Sequence, residues 1–329
     1  MQFKAFRIHQ QEAGVLAKYE SLCVDELTAG EVLIRVEFSC INYKDALAAT
    51  GAGKILRKYP LTGGIDLAGV VVQSASPQFK PGQSVLVTGC GLSETLDGGY
   101  AEFARIPDNA VIPMPATLNA LDAMTLGTAG FTAALAIHRM EQNGLKPELG
   151  EIMVTGASGG VGSIAIDMLS SQGYSVTALT GRDSQRDYLQ TLGAKQVVLR
   201  DELLINNGPM ESARFAAAID NVGGDLLSWL IRSLRNQGSV ASVGMTGGSN
   251  LSVSVMPFIL RGVNVLGINS GATPRELREQ IWRRISTDLR PSRLAVIRTR
   301  IVEFDELQKV FPEYLHNHTH GRTVVRIAH

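Results

Sequence analysis

The chain has 329 residues, 45% of them apolar and 19% charged, with 31 Lys plus Arg balanced by 31 Asp plus Glu. That length suits about two domains, each with a core large enough to fold without covalent staples. Charge balance excludes a broad basic field, so neither nucleic acid nor a membrane surface is expected as a partner.

Three cysteines, Cys23, Cys40 and Cys90, are too few and too scattered for a disulfide framework or a four-thiolate zinc site, which suits a reducing compartment. The N-terminal MQFKAFRIHQ carries no apolar leader core. The most apolar run, Met124 to Ile137, contains Thr128 and Thr132 and is too short to span a bilayer, so a cytoplasmic protein is expected.

Up to about residue 115, strand-like runs alternate with turn residues: QFKAFRI, EVLIRVEF, AGVVVQ, SVLVTG and YAEFARI. They predict a β-rich, barrel-like domain. From Glu151 the candidates are EIMVTG, SVTALTG, QVVLRD, AAIDNVG, GSVASVG and NVLGINS, with helical periodicity between most of them, as at Ile164 to Leu169 and Leu226 to Leu234. Strands interleaved with helices predict a doubly wound parallel sheet in an α/β domain. After Ser270, Thr273 as N-cap, Pro274 at the first helical position and Glu276 in a capping box announce a helix, with Leu277, Ile281, Ile285 and Leu289 on one face. RLAVIRTRIV and GRTVVRI then close the chain as strands. A nucleotide domain inserted into the β-rich one follows, with residues 1–124 and 265–329 flanking residues 125–264.

The most informative segment is VTGASGGVGSIAI, where a strand runs through a glycine-rich turn into a helix. From Ala157 it reads A-x-G-x-x-G, with Gly159 and Gly162 in the later glycine positions. Glycines there let the backbone approach a pyrophosphate, which free N–H groups and the helix dipole stabilise. The next strand ends in Thr180-Gly181-Arg182, a hydroxyl and a guanidinium where a ribose 2′-phosphate would lie, with Asp183 expected to cap the following helix. The expected cofactor is therefore NADPH. The loop also fits the T-G-x-x-x-G-x-G of short-chain dehydrogenases, but it lies far from the N-terminus and no Tyr-x-x-x-Lys pair accompanies it.

These blocks, together with INYKDALAATGAGK, GIDLAGVV, GTAGFTAALAI, TGR, AIDNVGG, MPFILRGVNVLGINS and GRTVVRI, resemble the medium-chain dehydrogenase/reductase superfamily over essentially the whole chain. The resemblance implies a GroES-like β-rich barrel catalytic domain with an inserted Rossmann domain, and a homodimer. NYKDALAATG, GTAGFTA and MPFILRGV are most similar to the acryloyl-CoA reductase (NADPH) group, often labelled quinone oxidoreductase. Zinc alcohol dehydrogenases of the superfamily bind their catalytic metal through a cysteine in the first block and a His-Glu pair in a G-H-E block. Asn42 and Ile65-Asp66 look like the corresponding positions here, so no metal is expected. His316, His318 and His320 are read as decoration of the exposed end of the last helix.

The resemblance implies hydride delivery from NADPH to the β-carbon of an α,β-unsaturated acyl-CoA, followed by protonation at the α-carbon. Such chemistry needs a donor at the developing enolate oxygen. Tyr43, placed near the cofactor in the family, is the first candidate, and Asp45 and Asp66 are secondary ones. Cofactor contacts are implied at Thr128, Ala157, Ser158, Gly159, Gly160, Val161, Gly162, Thr180, Gly181, Arg182, Arg200, Met245, Ile259, Ser270 and Asn317. Plainer roles stand beside these: a packed Tyr43 with a satisfied hydroxyl, aspartates bracing backbone amides, and core packing for Met245 and Ile259. The alternatives are an NADPH:quinone oxidoreductase and a non-catalytic NADPH-binding sensor.

Overall fold

The computed structural model describes residues 2–203, 205 and 208–327. Gln2–Gln11 (β1) and Gly14–Cys23 (β2) form an antiparallel hairpin, with Gln11 opposite Gly14 at the turn. Sequence reading missed β2, whose apolar and polar residues do not alternate cleanly; β1 supplies its partner. Val32–Ile41 (β3) is followed by the helix Tyr43–Thr50 (α1), then Leu61–Thr62 (β4), Asp66–Ser74 (β5), Ser84–Thr88 (β6), Phe103–Ile106 (β7) and Ile112–Pro113 (β8). The helix Ala120–Gln142 (α2) comes next.

The expected doubly wound sheet is present. It contains Ile152–Val154 (β9), Gly160–Ser171 (α3), Val176–Thr180 (β10), Arg186–Thr191 (α4), Gln196–Leu199 (β11), Phe215–Asp220 (β12), Gly224–Ser233 (α5), Leu234–Ser242 (β13), Met256–Arg261 (α6) and Asn264–Gly267 (β14). All strands are parallel, in the order β11-β10-β9-β12-β13-β14. The strand order reverses at β9, so the glycine loop leaves the sheet at its switch point, where such sheets bind ligands.

The chain ends with Arg275–Ile285 (α7), Leu294–Ile297 (α8), Arg298–Glu303 (β15), Leu307–Leu315 (α9) and Arg322–Arg326 (β16). Strand β16 pairs with β3, within a sheet ordered β15-β16-β3-β5-β6-β8 that β7 joins along β3. The first α7 residue is Arg275, so Pro274 takes the cap position expected of Thr273. The first half of the run expected as a strand, RLAVIRTRIV, winds into α8 instead.

Two compact units result. One contains residues up to Thr128, Ser270–Ser286 and the chain from Arg298 onward; the other contains Ala129–Asn269 and Thr287–Ile297. The last segment, expected with the β-rich domain, packs instead in the sheet unit. Buried Asp167 of α3 holds it, accepting from the backbone N–H of Arg293 at 2.9 Å and from its guanidinium at 2.7 Å. Within the first unit, buried Arg278 secures α7 by donating to the Thr88 carbonyl at 2.7 Å.

Helix α2 is longer than the apolar run read from the sequence. By length and composition it could cross a bilayer, but 78% of its apolar window is buried inside the protein. Its apolar character therefore reflects core packing.

Candidate active site

Helix α1 begins where Asn42 leaves extended backbone (φ −112°, ψ 159°), and it ends at Gly51 in the left-handed region (φ 74°), which suits glycine. The Asp45 carboxylate reaches back to the Asn42 backbone N–H at 2.8 Å and also accepts from Ile65 N–H at 2.9 Å. These bonds fix the helix start and set Tyr43 as its first residue.

A buried polar cluster supports that start. Asn42 donates from Nδ2 to Asp66 at 2.8 Å and accepts at Oδ1 from Arg322 at 3.1 Å. Arg322 also donates to the Ile41 carbonyl at 3.2 Å, the Thr125 carbonyl at 3.0 Å and Cys40 Sγ at 2.9 Å. The Cys40 thiol in turn donates to Asp66 at 3.0 Å. Burial first, then the nearby Asp66 charge, pushes the Cys40 pKa up, which keeps the thiol protonated and able to donate.

Gly127 explains how α2 meets this cluster. Its backbone is non-helical (φ 51°, ψ −153°), and a Cβ there would lie 2.7 Å from Cys40 Sγ and 2.8 Å from Asp66 Oδ2. The resulting kink frees the Thr128 N–H to bond Asp66 at 2.9 Å, while the Thr128 hydroxyl donates to the other carboxylate oxygen at 2.5 Å.

Asp45 and Asp66 therefore do not present free carboxylates to a substrate, because neighbouring donors occupy both oxygens of each. Burial, then the Asp66 charge, pushes the Asp45 carboxyl up to about 7. Zinc does not fit these residues: Ile65 has no donor atom and Asp66 is already saturated. Among the described residues no three His, Cys, Asp or Glu side chains group to hold an ion.

Tyr43 behaves differently. It is 40% exposed, and its hydroxyl has no hydrogen-bond partner among the described residues. It is not the packed aromatic of the plainer reading.

In the sheet unit, Gly156 turns the chain out of β9 with φ +54°. A Cβ on Gly162 would lie 2.5 Å from the Gly156 carbonyl oxygen and 2.8 Å from Ala157 Cα, so the first turn of α3 sits directly on the loop. Gly159 precedes Gly160 and Val161 without any side-chain cap, and the first turn carries no acidic residue. Uncapped N–H groups at the positive end of a helix are the donor set a phosphate needs. A pyrophosphate fits this cradle.

At the end of β10, the Arg182 backbone N–H bonds Thr180 Oγ1 at 3.2 Å, and its Nη2 donates to Ser158 Oγ at 3.1 Å. A Cβ on Gly181 would lie 4.0 Å from Arg200 Nη2, so a second guanidinium reaches the same turn. Asp183 does not cap α4 as expected. Its carboxylate pairs through Oδ1 with Arg186 at 2.9 Å and stays exposed.

Sequence reading overlooked a second lock on the loop. Buried Asp220 accepts from Thr155 Oγ1 at 2.6 Å and from Gly223 N–H at 2.7 Å, and Asn221 Nδ2 donates to the Thr155 carbonyl at 2.7 Å. These bonds tie the ends of β12 and β9 together. Burial raises the Asp220 pKa. In the sequence, the signal for this lock is the aspartate of AIDNVGG, an acid ending a buried parallel strand.

Met245 and Ile259, 71% and 73% exposed, are not core residues. Tyr43, Thr128, Ser270 and Asn317 belong to the first unit, and the remaining expected cofactor contacts belong to the second. The Ser270 carbonyl accepts from Arg278 at 3.2 Å, and Asn317 adopts φ 56° beyond α9. His316 caps α9 through a 2.7 Å contact between Nδ1 and the Pro312 carbonyl, with its ring 5.9 Å from that of His318.

Comparison with known proteins matches this architecture. The alcohol dehydrogenase GroES-like domain family covers residues 28–116, and the zinc-binding dehydrogenase family covers residues 160–287. The chain is 41% identical to the acrylyl-CoA reductase AcuI of Ruegeria pomeroyi over 94% of both chains. It is 42% identical over 99% of both chains to YhfP of Bacillus subtilis, which is named among the quinone oxidoreductases. A crystal structure of Escherichia coli K-12 YhdH with bound NADPH matches with TM-score 0.95 at 43% identity, covering 98% of this chain and 100% of that one. The Bacillus subtilis yhfP structure with NAD bound matches with TM-score 0.96 at 42% identity, covering 99% of each. The folded units and the full-length similarity together show that the chain belongs to the medium-chain dehydrogenase/reductase superfamily, in the group that contains the acrylyl-CoA reductases and the quinone oxidoreductase-type proteins.

Proposed function

We propose that this chain is an NADPH-dependent reductase of the C=C bond in short α,β-unsaturated acyl-CoA thioesters, acryloyl-CoA first among them, acting without a metal ion. The observation that carries the cofactor choice is the end of β10, where Arg182 and Arg200 both reach the turn and Asp183 is paired with Arg186. That turn offers positive charge to a 2′-phosphate and partly neutralises the carboxylate that would favour a bare ribose.

Bound NADPH supplies hydride for the β-carbon. The chain's own residues hold and polarise. The α3 N-terminus and the glycine loop take the pyrophosphate, and Arg182 takes the 2′-phosphate. Tyr43 directs its unpartnered hydroxyl to the thioester oxygen, where negative charge develops; one such donor typically lowers the barrier by about 2.7 to 4 kcal/mol. The Asn42, Asp66 and Arg322 cluster fixes the helix start from which Tyr43 projects. Substrate must supply the activation that a Lewis acid would give, which favours an already polarised alkene.

A quinone is the second substrate class, supported by the name of YhfP. Steady-state kinetics with acryloyl-CoA, crotonyl-CoA and a benzoquinone, each with NADPH and NADH, separate the readings. Preference for acryloyl-CoA with NADPH supports the proposal. Preference for the quinone replaces it, and tight NADPH binding with no turnover points to a sensor.

A homodimer is part of the same reading. Among the described residues strand β14 ends its sheet with one edge unpaired, and Val255, Met256, Ile259, Leu260 and Val265 nearby in the chain are exposed. A second copy would cover both the open edge and this apolar surface.

A further inference from the structure

Beyond α1 the chain turns back on the helix. Gly53 N–H bonds the Leu47 carbonyl at 3.3 Å, and a Cβ on Gly53 would lie 3.2 Å from Leu47 Cβ. Leu56 is buried, and Arg57 N–H bonds the Glu94 carbonyl at 2.8 Å. The Glu94 carboxylate pairs with Lys44, the residue after Tyr43. Glu94 thus brings the backbone of Arg57 beside the helix turn that carries Tyr43.

This returning segment exposes Lys54, Arg57 and Lys58, and none of them has an ion-pair or hydrogen-bond partner for its side chain among the described residues. The neighbouring carboxylate, Glu94, is taken by Lys44. Elsewhere in the same unit Lys4, Lys18, Arg35, Arg300 and Arg326 each have a carboxylate partner. In a chain whose charges balance overall, three unmatched cations within five residues form a local positive site. Anions of matching multiplicity would be held there, with the Arg57 fork suited to phosphate.

We propose that Lys54, Arg57 and Lys58 bind the 3′-phosphate and diphosphate at the nucleotide end of the coenzyme A thioester, anchoring the substrate by its tail while Tyr43 acts on the acyl group. This rests on the acyl-CoA reading above and names the residues that read the coenzyme. Tail binding of this kind lowers KM and leaves kcat alone, because the contact is the same in the ground and transition states. It is also weakened by salt, since the cations are exposed.

The test compares acryloyl-CoA with acryloyl-pantetheine, which lacks the nucleotide, at saturating NADPH. In the Lys54→Ala, Arg57→Ala, Lys58→Ala triple variant, KM for acryloyl-CoA is expected to rise at least tenfold. KM for acryloyl-pantetheine, KM for NADPH and both kcat values should stay within twofold. Raising the salt concentration should raise KM for acryloyl-CoA in the wild type more steeply than in the variant. The single substitutions carry the test if the triple variant misfolds, each giving a partial rise. Equal KM for the two thioesters in the wild type, or an unchanged KM for acryloyl-CoA in folded variants, overturns the proposal. A rise confined to KM for NADPH also overturns it, because the cations would then serve the cofactor's phosphates. Wild-type enzyme that ignores both thioesters yet reduces a quinone shows instead that the acyl-CoA reading has failed, and the tail site falls with it.

Discussion

Arg182 Nη2 lies 3.1 Å from Ser158 Oγ, a hydrogen bond that joins the end of β10 to the loop leaving β9. The bond ties a guanidinium to the glycine loop, so the two features proposed to bind phosphate in the sheet unit are mechanically one. Neither is visible to the other in the local sequence.

Arg182→Ala is expected to weaken NADPH binding by roughly one to two orders of magnitude, the equivalent of about 1.5 to 3 kcal/mol for a hydrogen bond to a charged group. NADH binding should be nearly unchanged. Fluorescence titration with both dinucleotides measures this, and equal losses would remove Arg182 from 2′-phosphate recognition.

Tyr43→Phe should lower kcat on acryloyl-CoA at least about tenfold, as expected when a transition-state donor is lost. The side chain is 40% exposed and its hydroxyl unpartnered, so the unfolding temperature should not move. Unchanged turnover in the folded variant would exclude the hydroxyl from the reaction.

Gly162→Ala introduces a methyl group 2.5 Å from the Gly156 carbonyl oxygen, backbone that cannot swing aside like a side chain. Overpacking of this kind costs about 1 to 3 kcal/mol. Thermal unfolding should shift down, and the affinities for NADPH and NADH should fall together, because both share the pyrophosphate. A variant that binds both with wild-type affinity would show that the cradle is not the phosphate site.

Asp45 predicts a pH dependence of stability. Its carboxyl is pushed up to about 7 in the folded chain, from an ordinary 3.8, with burial the main cause and the Asp66 charge second. Well below pH 3.8 the group is neutral in both states. As pH rises from about 4 to 7 the unfolded chain releases the proton while the folded chain keeps it, so this contribution to stability declines through that window and levels off above it. The change is on the order of a few kcal/mol. Asp45→Asn should flatten that decline in urea midpoints measured across the range, whatever its effect on absolute stability. A slope identical to the wild type's would mean that Asp45 ionises normally in the fold.

Much of this protein was legible in its residues because the signals were local. Alternation marked most strands of the first unit, all strands of the parallel sheet stood out from intervening helical periodicity, and the glycines of residues 156–162 announced a strand-to-helix turn. Arg182 and Asp183 could be weighed at the end of a predicted strand, although the pairing of Asp183 with Arg186 was not foreseen.

What tertiary structure alone decided depends on contacts between residues far apart in the chain. Arg322 meets Cys40 across 282 positions, and Arg293 meets Asp167 across 126. Thr128, 62 positions away, and Cys40 turn Asp66 from a candidate catalyst into a brace, the nearer Asn42 and Ile65 do the same to Asp45, and the Arg293 bonds move residues 287–297 into the sheet unit. A side chain's chemical type is written at its own position, but whether its polar atoms are free for chemistry depends on what the folded chain brings within hydrogen-bond reach. The same fold leaves the Tyr43 hydroxyl open.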